Sequence, residues 1–310
     1  MTPTYITGYE STDAARAALA FTRGLARATG ANVVAAYVYP DLRPVPSGHG
    51  PVDLVAYNPD LTAVAQREAE AVVAGLPADV EAFTIAGSSV PHELDALARN
   101  ENAALLAVGA THRGAVGRVL PGSIGERVVH GAPCPVLVVP EGQGERAVVR
   151  TIGVAYDGRE QSRRALRAAE TLADRLGASL VLIHAGDPAP IDPHVARTPD
   201  DAEAKAEHAR TQAMRTTLER TAARQVQRDF DVSIRIPLAA PGPAIVDACS
   251  DGIDLLVAGS RAYGPLRSVL VGSVSRYLVD HAPCPVLVVP RRAALRLVAD
   301  EEASAGAAAS

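Results

Sequence analysis

The sequence predicts two tandem copies of a doubly wound α/β domain, and three observations carry this. The nonamer "APCPVLVVP" spans Ala132 to Pro140 and recurs 150 residues later, from Ala282 to Pro290. The repeat extends well beyond it: "GATHRGAVGRVLPGS" from Gly109 matches "GSRAYGPLRSVLVGS" from Gly259, and "YITGYESTDAARAAL" matches "GVAYDGREQSRRAL", which sets Glu10 against Asp157. Within each copy, apolar runs alternate with helix-like stretches, as in a sheet wrapped by helices on both faces. A unit of this length is a duplicated domain, since a solenoid repeats every ~20–50 residues. The predicted limits are 1–145 and 146–292, followed by a tail, 293–310, expected to be disordered because it ends in small and polar residues.

In the first copy, "TYITGY" reads as strand one, and "DAARAALAFTRGLARATG" as a helix ending near Gly30, a residue suited to a left-handed C-cap. "NVVAAYVY" is strand two. A polar loop with several prolines (Pro40 to Pro59) precedes a second helix over about Leu61 to Gly75. "DVEAFTIA" is strand three, "PHELDALARN" a helix, "AALLAVGA" strand four, Ser123 to His130 a short helix, and "PVLVVP" strand five. The second copy repeats the series with "TIGVAY", "SLVLIHA", "DVSIRIPL", "IDLLVAGS" and "PVLVVP" as strands. Strands one, two and four are almost wholly apolar, which suits strands buried on both faces of a parallel sheet. The segment "PDDAEAKAEHARTQAMRTTLERTAARQVQR" reads as a long helix with a solvated, charged face.

Composition narrows the function classes. The chain has 310 residues, 48% hydrophobic and 21% charged, enough for two ordinary cores without staples. A net charge of -5 gives no bulk attraction to nucleic acid. No apolar run approaches the ~20 residues of a membrane span. The start "MTPTYITGYE" lacks the basic end and apolar core of a secretory signal, so a cytoplasmic location is expected. Three widely spaced cysteines, Cys134, Cys249 and Cys284, suggest neither a disulfide framework nor a metal site; buried, inert thiols are expected. The histidines are scattered without HExxH spacing, so no metal site is expected, and His184 is expected to pack at a strand end. There is no G-x4-G-K-[ST] loop and no G-x-S-x-G elbow.

Ligands of doubly wound sheets bind at the carboxyl ends of strands. In the second copy, Asp157 follows strand one, Gly259 ends strand four, and "GSVS" (Gly272 to Ser275) opens a helix. A glycine there lets a ligand approach the backbone. Free amides at a helix start, with serine hydroxyls, make an anion site suited to phosphate. Asp157 can accept hydrogen bonds from a sugar or a base amine. Glycine and serine before a helix also serve as an ordinary turn and N-cap, and locally the two readings stand level.

The strand ending in "AYDG", the spaced glycines, the "GSVS" and the terminal "APCPVLVVP" together resemble the universal stress protein family, over about Thr4 to Pro290 as two tandem copies. The resemblance implies a five-stranded parallel sheet of order 3-2-1-4-5 in each copy. It implies, in many members, ATP bound through a loop of form G-x2-G-x9-G-[ST]. It assigns the nucleotide, in the second copy, to Asp157, Ala185, Gly259, Arg261, Gly272, Ser273, Val274 and Ser275. The matching first-copy residues are Glu10, Val38, Gly109, Thr111, Gly122, Ser123 and Ile124, with His112 in the loop. The loops depart from the family pattern: its second glycine is Ala262 in one copy and His112 in the other, with Gly264 and Gly114 two residues on. Glu10 is longer than the usual Asp, and Gly125 lacks the hydroxyl of Ser275, so the second site is expected to bind more tightly.

The resemblance also has the final strand pair with its copy across a two-fold axis. Two tandem copies would satisfy this within one chain, and a homodimer of chains is compatible with it. The function implied is a cytoplasmic stress-response or regulatory protein binding ATP, with any magnesium carried by the nucleotide and hydrolysis slow at most. No catalytic residue is assigned, and no nucleic-acid or membrane partner. The competing readings are a non-binding dimerisation or partner-interaction module of the same fold, and a slow ATPase or nucleotidyl transferase.

Overall fold

A computed structural model of the chain describes residues 2–41, 59–110, 127–129, 132–144, 148–185, 201–226, 231–237, 239–260, 272–290 and 295–298. The first half runs β1 (Thr4–Gly8), α1 (Asp13–Thr29), β2 (Asn32–Pro40), α2 (Pro59–Ala74), β3 (Glu81–Gly87), α3 (Val90–Asn100), β4 (Leu105–Ala110) and β5 (Val136–Pro140). The second runs β6 (Thr151–Ala155), α4 (Glu160–Leu176), β7 (Ser179–Ile183), α5 (Asp201–Val226), β8 (Val232–Arg235), α6 (Pro241–Cys249), β9 (Leu255–Gly259), α7 (Ser273–His281) and β10 (Val286–Val289). Residues 127–129 are helical, in agreement with the short helix expected before strand five; its other residues lie outside the described ones.

Helix boundaries follow the local chemistry. Thr12 caps α1 by accepting a hydrogen bond from the Ala15 amide, and Gly30 ends it in the left-handed region at φ 69°. Gly177 ends α4 the same way at φ 62°. The long helix α5 matches its expected charged character, but Leu218 is fully buried and Met214 packs beside the core.

The ten strands of the described residues form one sheet, in the order β3-β2-β1-β4-β5-β10-β9-β6-β7-β8. Each half is parallel with the order 3-2-1-4-5, and the halves meet where β5 and β10 pair antiparallel. At this join Leu137 faces Leu287 across the pseudo-two-fold axis, flanked by Val136 with Val288 and Val138 with Val286. All six side chains are buried. The repeated nonamer thus removes two edges at once, each copy covering the other's last strand. Apolar side chains alternate between the sheet's two faces. Tyr5, Leu105 and Leu137 share one layer with Phe21 of α1 and Leu172 of α4, while Ile6, Leu106 and Val136 share the other with Leu94 of α3 and Leu278 of α7. Burying each large side chain contributes roughly 1.5–3 kcal/mol. Because α1 and α4 also touch each other, the first layer runs unbroken across both halves.

The segment expected to be a disordered tail departs from that expectation in its described part. Residues 295–298 return to the first half, where Leu297 is fully buried and Leu295 packs against the same core. The Tyr5 hydroxyl donates to the Leu297 carbonyl oxygen, and burial pushes this phenol up to about 12. The reason is apolar: "LRL" carries two leucines, which leave water for the core layer that Tyr5 shares.

Candidate functional site

The second half opens a cavity of about 140 Å³ at the carboxyl ends of its strands. Its wall brings together Asp157 beyond β6, Ala185 beyond β7, Gly259 at the end of β9, and Gly272, Ser273, Val274 and Ser275 at the start of α7. Every second-half residue expected from the sequence is therefore in one place, except Arg261, which lies outside the described residues. Ile245 of α6 and Leu278 of α7 supply apolar wall, so the cavity has an oily side and a polar side.

The polar side is built from helix starts. Gly272 is the N-cap of α7, with φ -64° and ψ 157°, and among the described residues no side chain caps its amides. The first N–H groups of a helix have no partner within it, so the start of α7, whose residues line the cavity, brings donors and the positive end of the helix dipole to that wall. Ser273 is part of the same wall. Ser275 does not serve as expected: it is buried and its Oγ donates to the Gly259 carbonyl at 2.8 Å. Its proton locks α7 to the end of β9 and is committed there, so Ser275 shapes the site where a donor to phosphate was expected.

Gly259 also differs from its expected reason. A Cβ there would lie 2.4 Å from the Gln161 carbonyl oxygen, in the first turn of α4. The glycine is required because a helix backbone passes over the strand end, with no ligand needed to explain it. The first half repeats this, with Gly109 under the Ala14 carbonyl oxygen at 2.3 Å.

Asp157 sits in a tight turn. Its Oδ1 accepts from the Arg159 amide at 3.0 Å, its Oδ2 lies 3.7 Å from Arg159 Nε, and Gly158 follows at φ 75°. The turn fixes the carboxylate at the cavity rim while leaving its side chain 40% exposed. Gln161 and His184 are among the wall residues that sequence reasoning did not assign to the site. Gln161 follows the first residue of α4, and His184 lies at the end of β7, its Nδ1 2.9 Å from the Tyr156 carbonyl oxygen. His184 therefore packs at its strand end, as expected, and also lines the cavity. The strand-end position was the signal that could have placed it there.

The first-half cavity is smaller, about 50 Å³, and brings Glu10, Val38 and Gly109 together. Thr111, His112, Gly122, Ser123, Ile124 and Gly125 lie outside the described residues, as do Gly114, Ala262 and Gly264. Glu10 is tied into its own turn: its Oε1 accepts from the Thr12 hydroxyl at 3.4 Å and its carbonyl from the Thr12 amide at 2.8 Å. Leu94 closes on Gly8, where a Cβ would meet its methyl at 2.8 Å.

The three thiols are buried. Burial pushes Cys134 up to about 12, and Cys284 is raised by a hydrogen bond with Cys249 and by burial, which disfavours the reactive thiolate at both. Among the described residues there is no cluster of three or more metal-ligating side chains, and no helix long and apolar enough to cross a membrane.

Three comparisons bear on this architecture. The model of the "Universal stress protein family" matches residues 5–140 and again 149–290. The chain is 34% identical over 144 residues to a universal stress protein of Thermus aquaticus, covering 45% of this chain and 98% of that one. It is 30% identical over 226 residues to a universal stress protein of Mycobacterium bovis, covering 71% of this chain and 72% of that one. Among solved structures, a universal stress protein from Archaeoglobus fulgidus superposes with a TM-score of 0.67 at 19% identity, covering 93% of this chain and 98% of that one, a likeness of fold.

Proposed function

This chain belongs to the universal stress protein family, whose model it matches in two tandem copies, and on that premise we propose that it is a cytoplasmic stress-response or regulatory protein that binds ATP in its second half. The observation that carries this reading is the pairing of uncapped α7 amides with the Asp157 carboxylate across one cavity of about 140 Å³. The amides suit the phosphates, and the carboxylate suits a ribose hydroxyl or a base amine. The apolar wall of Ile245 and Leu278 suits the face of a base. Gly259, Gly272, Ser273, Val274 and Ala185 line the path between the two ends, and Arg261 of the glycine loop completes the proposed set. Ser275 contributes by holding α7 against β9. Magnesium would arrive with the nucleotide. We assign no catalytic residue, and turnover is at most slow.

The first half is proposed as the weaker site, with Glu10, Val38 and Gly109 on its wall. The intrachain pairing of β5 and β10 supports a tandem chain doing alone what two single-domain chains would do together.

The test is calorimetric titration of the full chain with ATP, together with mass spectrometry of protein purified without added nucleotide. Gly272→Val places a branched side chain at the N-cap, in the path of the phosphates. It is expected to lower second-site affinity at least about tenfold, roughly 1.4 kcal/mol, with the melting temperature little changed. A folded variant that binds ATP as the wild type does would remove the phosphate role of α7.

A further inference from the structure

Strands β5 and β10 pair across the pseudo-two-fold axis, and each is followed by a segment that reaches the opposite half. After β5 the chain passes over α1, where a Cβ on Gly144 would lie 2.5 Å from the Ala17 Cα. It then buries Val149 in the core layer that both halves share. The amides of Arg150 and Thr151 donate to Asp254 Oδ2 at 2.9 and 3.0 Å. The Arg150 carbonyl oxygen accepts from the Ser179 amide at 2.8 Å. From there the chain continues covalently into β6.

After β10, residues 295–298 make the corresponding approach to β1, with no covalent connection to it. Leu295 packs on the core layer, Arg296 is exposed and Leu297 is fully buried. Inward and outward side chains alternate here, as along an extended chain. Tyr5 is fully buried too, and its hydroxyl donates to the Leu297 carbonyl oxygen, 292 positions away in sequence. The linker is thus held by chain continuity and several hydrogen bonds to its backbone. The tail is held, among the described residues, by two leucines and one side-chain donor. A hydroxyl that binds a carbonyl oxygen reads no side chain, so the leucines at alternate positions supply the selectivity. Tyr5, Leu295 and Leu297 line neither of the two cavities described above.

We propose that the first half carries a docking slot for an extended segment with leucines at alternate positions, and that residues 295–298 are its occupant, seated in cis and replaceable by the same segment supplied as a separate peptide. The Tyr5 hydroxyl fixes the register, and the core layer around Tyr5 takes the two leucines. The slot is separate from the cavity of the second half and stands independently of the nucleotide reading. A short tether gives the seated segment an effective concentration of about millimolar, so a free peptide competes only where the tethered one is disabled.

The experiment is hydrogen exchange read by mass spectrometry on the full chain and on Leu297→Asp, which puts a charge where the slot takes a leucine. Amides of β1 are expected to exchange at least about tenfold faster in the variant, with those of β6 and β7 unchanged. A synthetic peptide of the sequence RRAALRLVAD (residues 291–300), added at about millimolar concentration, is expected to restore the protection saturably. The same peptide with aspartate in place of both leucines is expected to leave it unrestored. Tyr5→Phe keeps the ring and removes only the hydroxyl, and should speed the same amides by a smaller factor. Should Leu297→Asp fail to fold, Leu297→Ala carries the same comparison. Protection of β1 equal to the wild type's in a folded Leu297 variant would show that the tail does not occupy a slot there. Faster exchange that the peptide leaves unchanged would make the tail a fixed part of the fold and overturn the docking site.

Discussion

The two halves of this chain share one topology and differ in what they bury. In the first half, the hydroxyls of Thr7 and Thr22 and the Oδ1 of Asp95 are buried without a hydrogen-bond partner. At the same places the second half carries Val154, Ala169 and Ile245. The second half has its own unpartnered hydroxyl, Ser260, where the first has Ala110. The exchange of Asp95 for Ile245 matters most. Ile245 forms part of the cavity wall, whereas Asp95 is held near Arg99, 3.7 Å away, against a burial that penalises its charge. One fold thus tolerates a different set of buried polar groups in each copy, with Asp95, near Arg99, in the first and Asp280, near Arg276, in the second. The hydrogen-bonded sheet sets the architecture, and the side chains packed on it set stability and ligand chemistry separately for each copy.

The largest way to break this comparison is to separate the halves. Val288 pairs with Val136 at the join and both are buried. Val288→Lys places an unpaired charge there, a change expected to cost about 3–5 kcal/mol. The expected outcome is that one melting transition becomes two, the lower belonging to the first half; scanning calorimetry with hydrogen exchange reads it out. A single unshifted transition would mean that the join contributes little.

A second test uses pH. Burial raises the Asp95 carboxyl from its ordinary 3.8 to about 6, with Arg99 and then His92 opposing the shift. A group whose acid form is favoured by folding stabilises the native state at low pH and loses that contribution as it ionises. First-half stability should therefore fall as pH rises from about 4 through about 6, by up to roughly 2–3 kcal/mol. Asp95→Asn should flatten that dependence, and Asp95→Ile, which copies the second half, should remove it and raise the melting temperature at neutral pH. Urea titrations at several pH values measure both. The smallest effect is expected from Thr7→Val and Thr22→Ala, which replace unpartnered hydroxyls with the second half's residues and should each stabilise by about 1 kcal/mol.

Much of this was legible in the sequence because it depends on local pattern. The duplicated nonamer marked two tandem copies, the apolar runs pointed to a parallel doubly wound sheet, and Gly30 marked a helix end, while the strand order and the pairing of β5 with β10 came from the family resemblance. Asp157 and Gly272 could be placed at strand and helix ends before any coordinates. Other features depend on contacts between distant segments. Nothing near Gly259 indicates that Gln161 passes 2.4 Å from where its Cβ would be. The Ser275 hydroxyl could have faced outward, and only the packing of α7 turns it to Gly259. Asp95 sits in "PHELDALARN", where a charged residue on an amphipathic helix reads as solvent-facing; it is buried because α3 rolls it toward Cys134. The 293–310 segment was read by its polar end, and the two leucines before that end were overlooked.

Leu297 closes the chain on itself. The backbone of residue 297 is bonded to the side chain of residue 5, while the connection after β5 leads directly from the first half into the second. The path through the molecule is therefore a ring with a single gap, and where the gap lies is a matter of genetic reading order. Joining residue 298 to residue 2 through a short flexible peptide and opening the ring at Gly142, which is exposed and has no neighbour where a Cβ would stand, should yield a circular permutant with the same ten-stranded sheet. Its circular dichroism and melting temperature should stay close to those of the parent, with the second half now translated first.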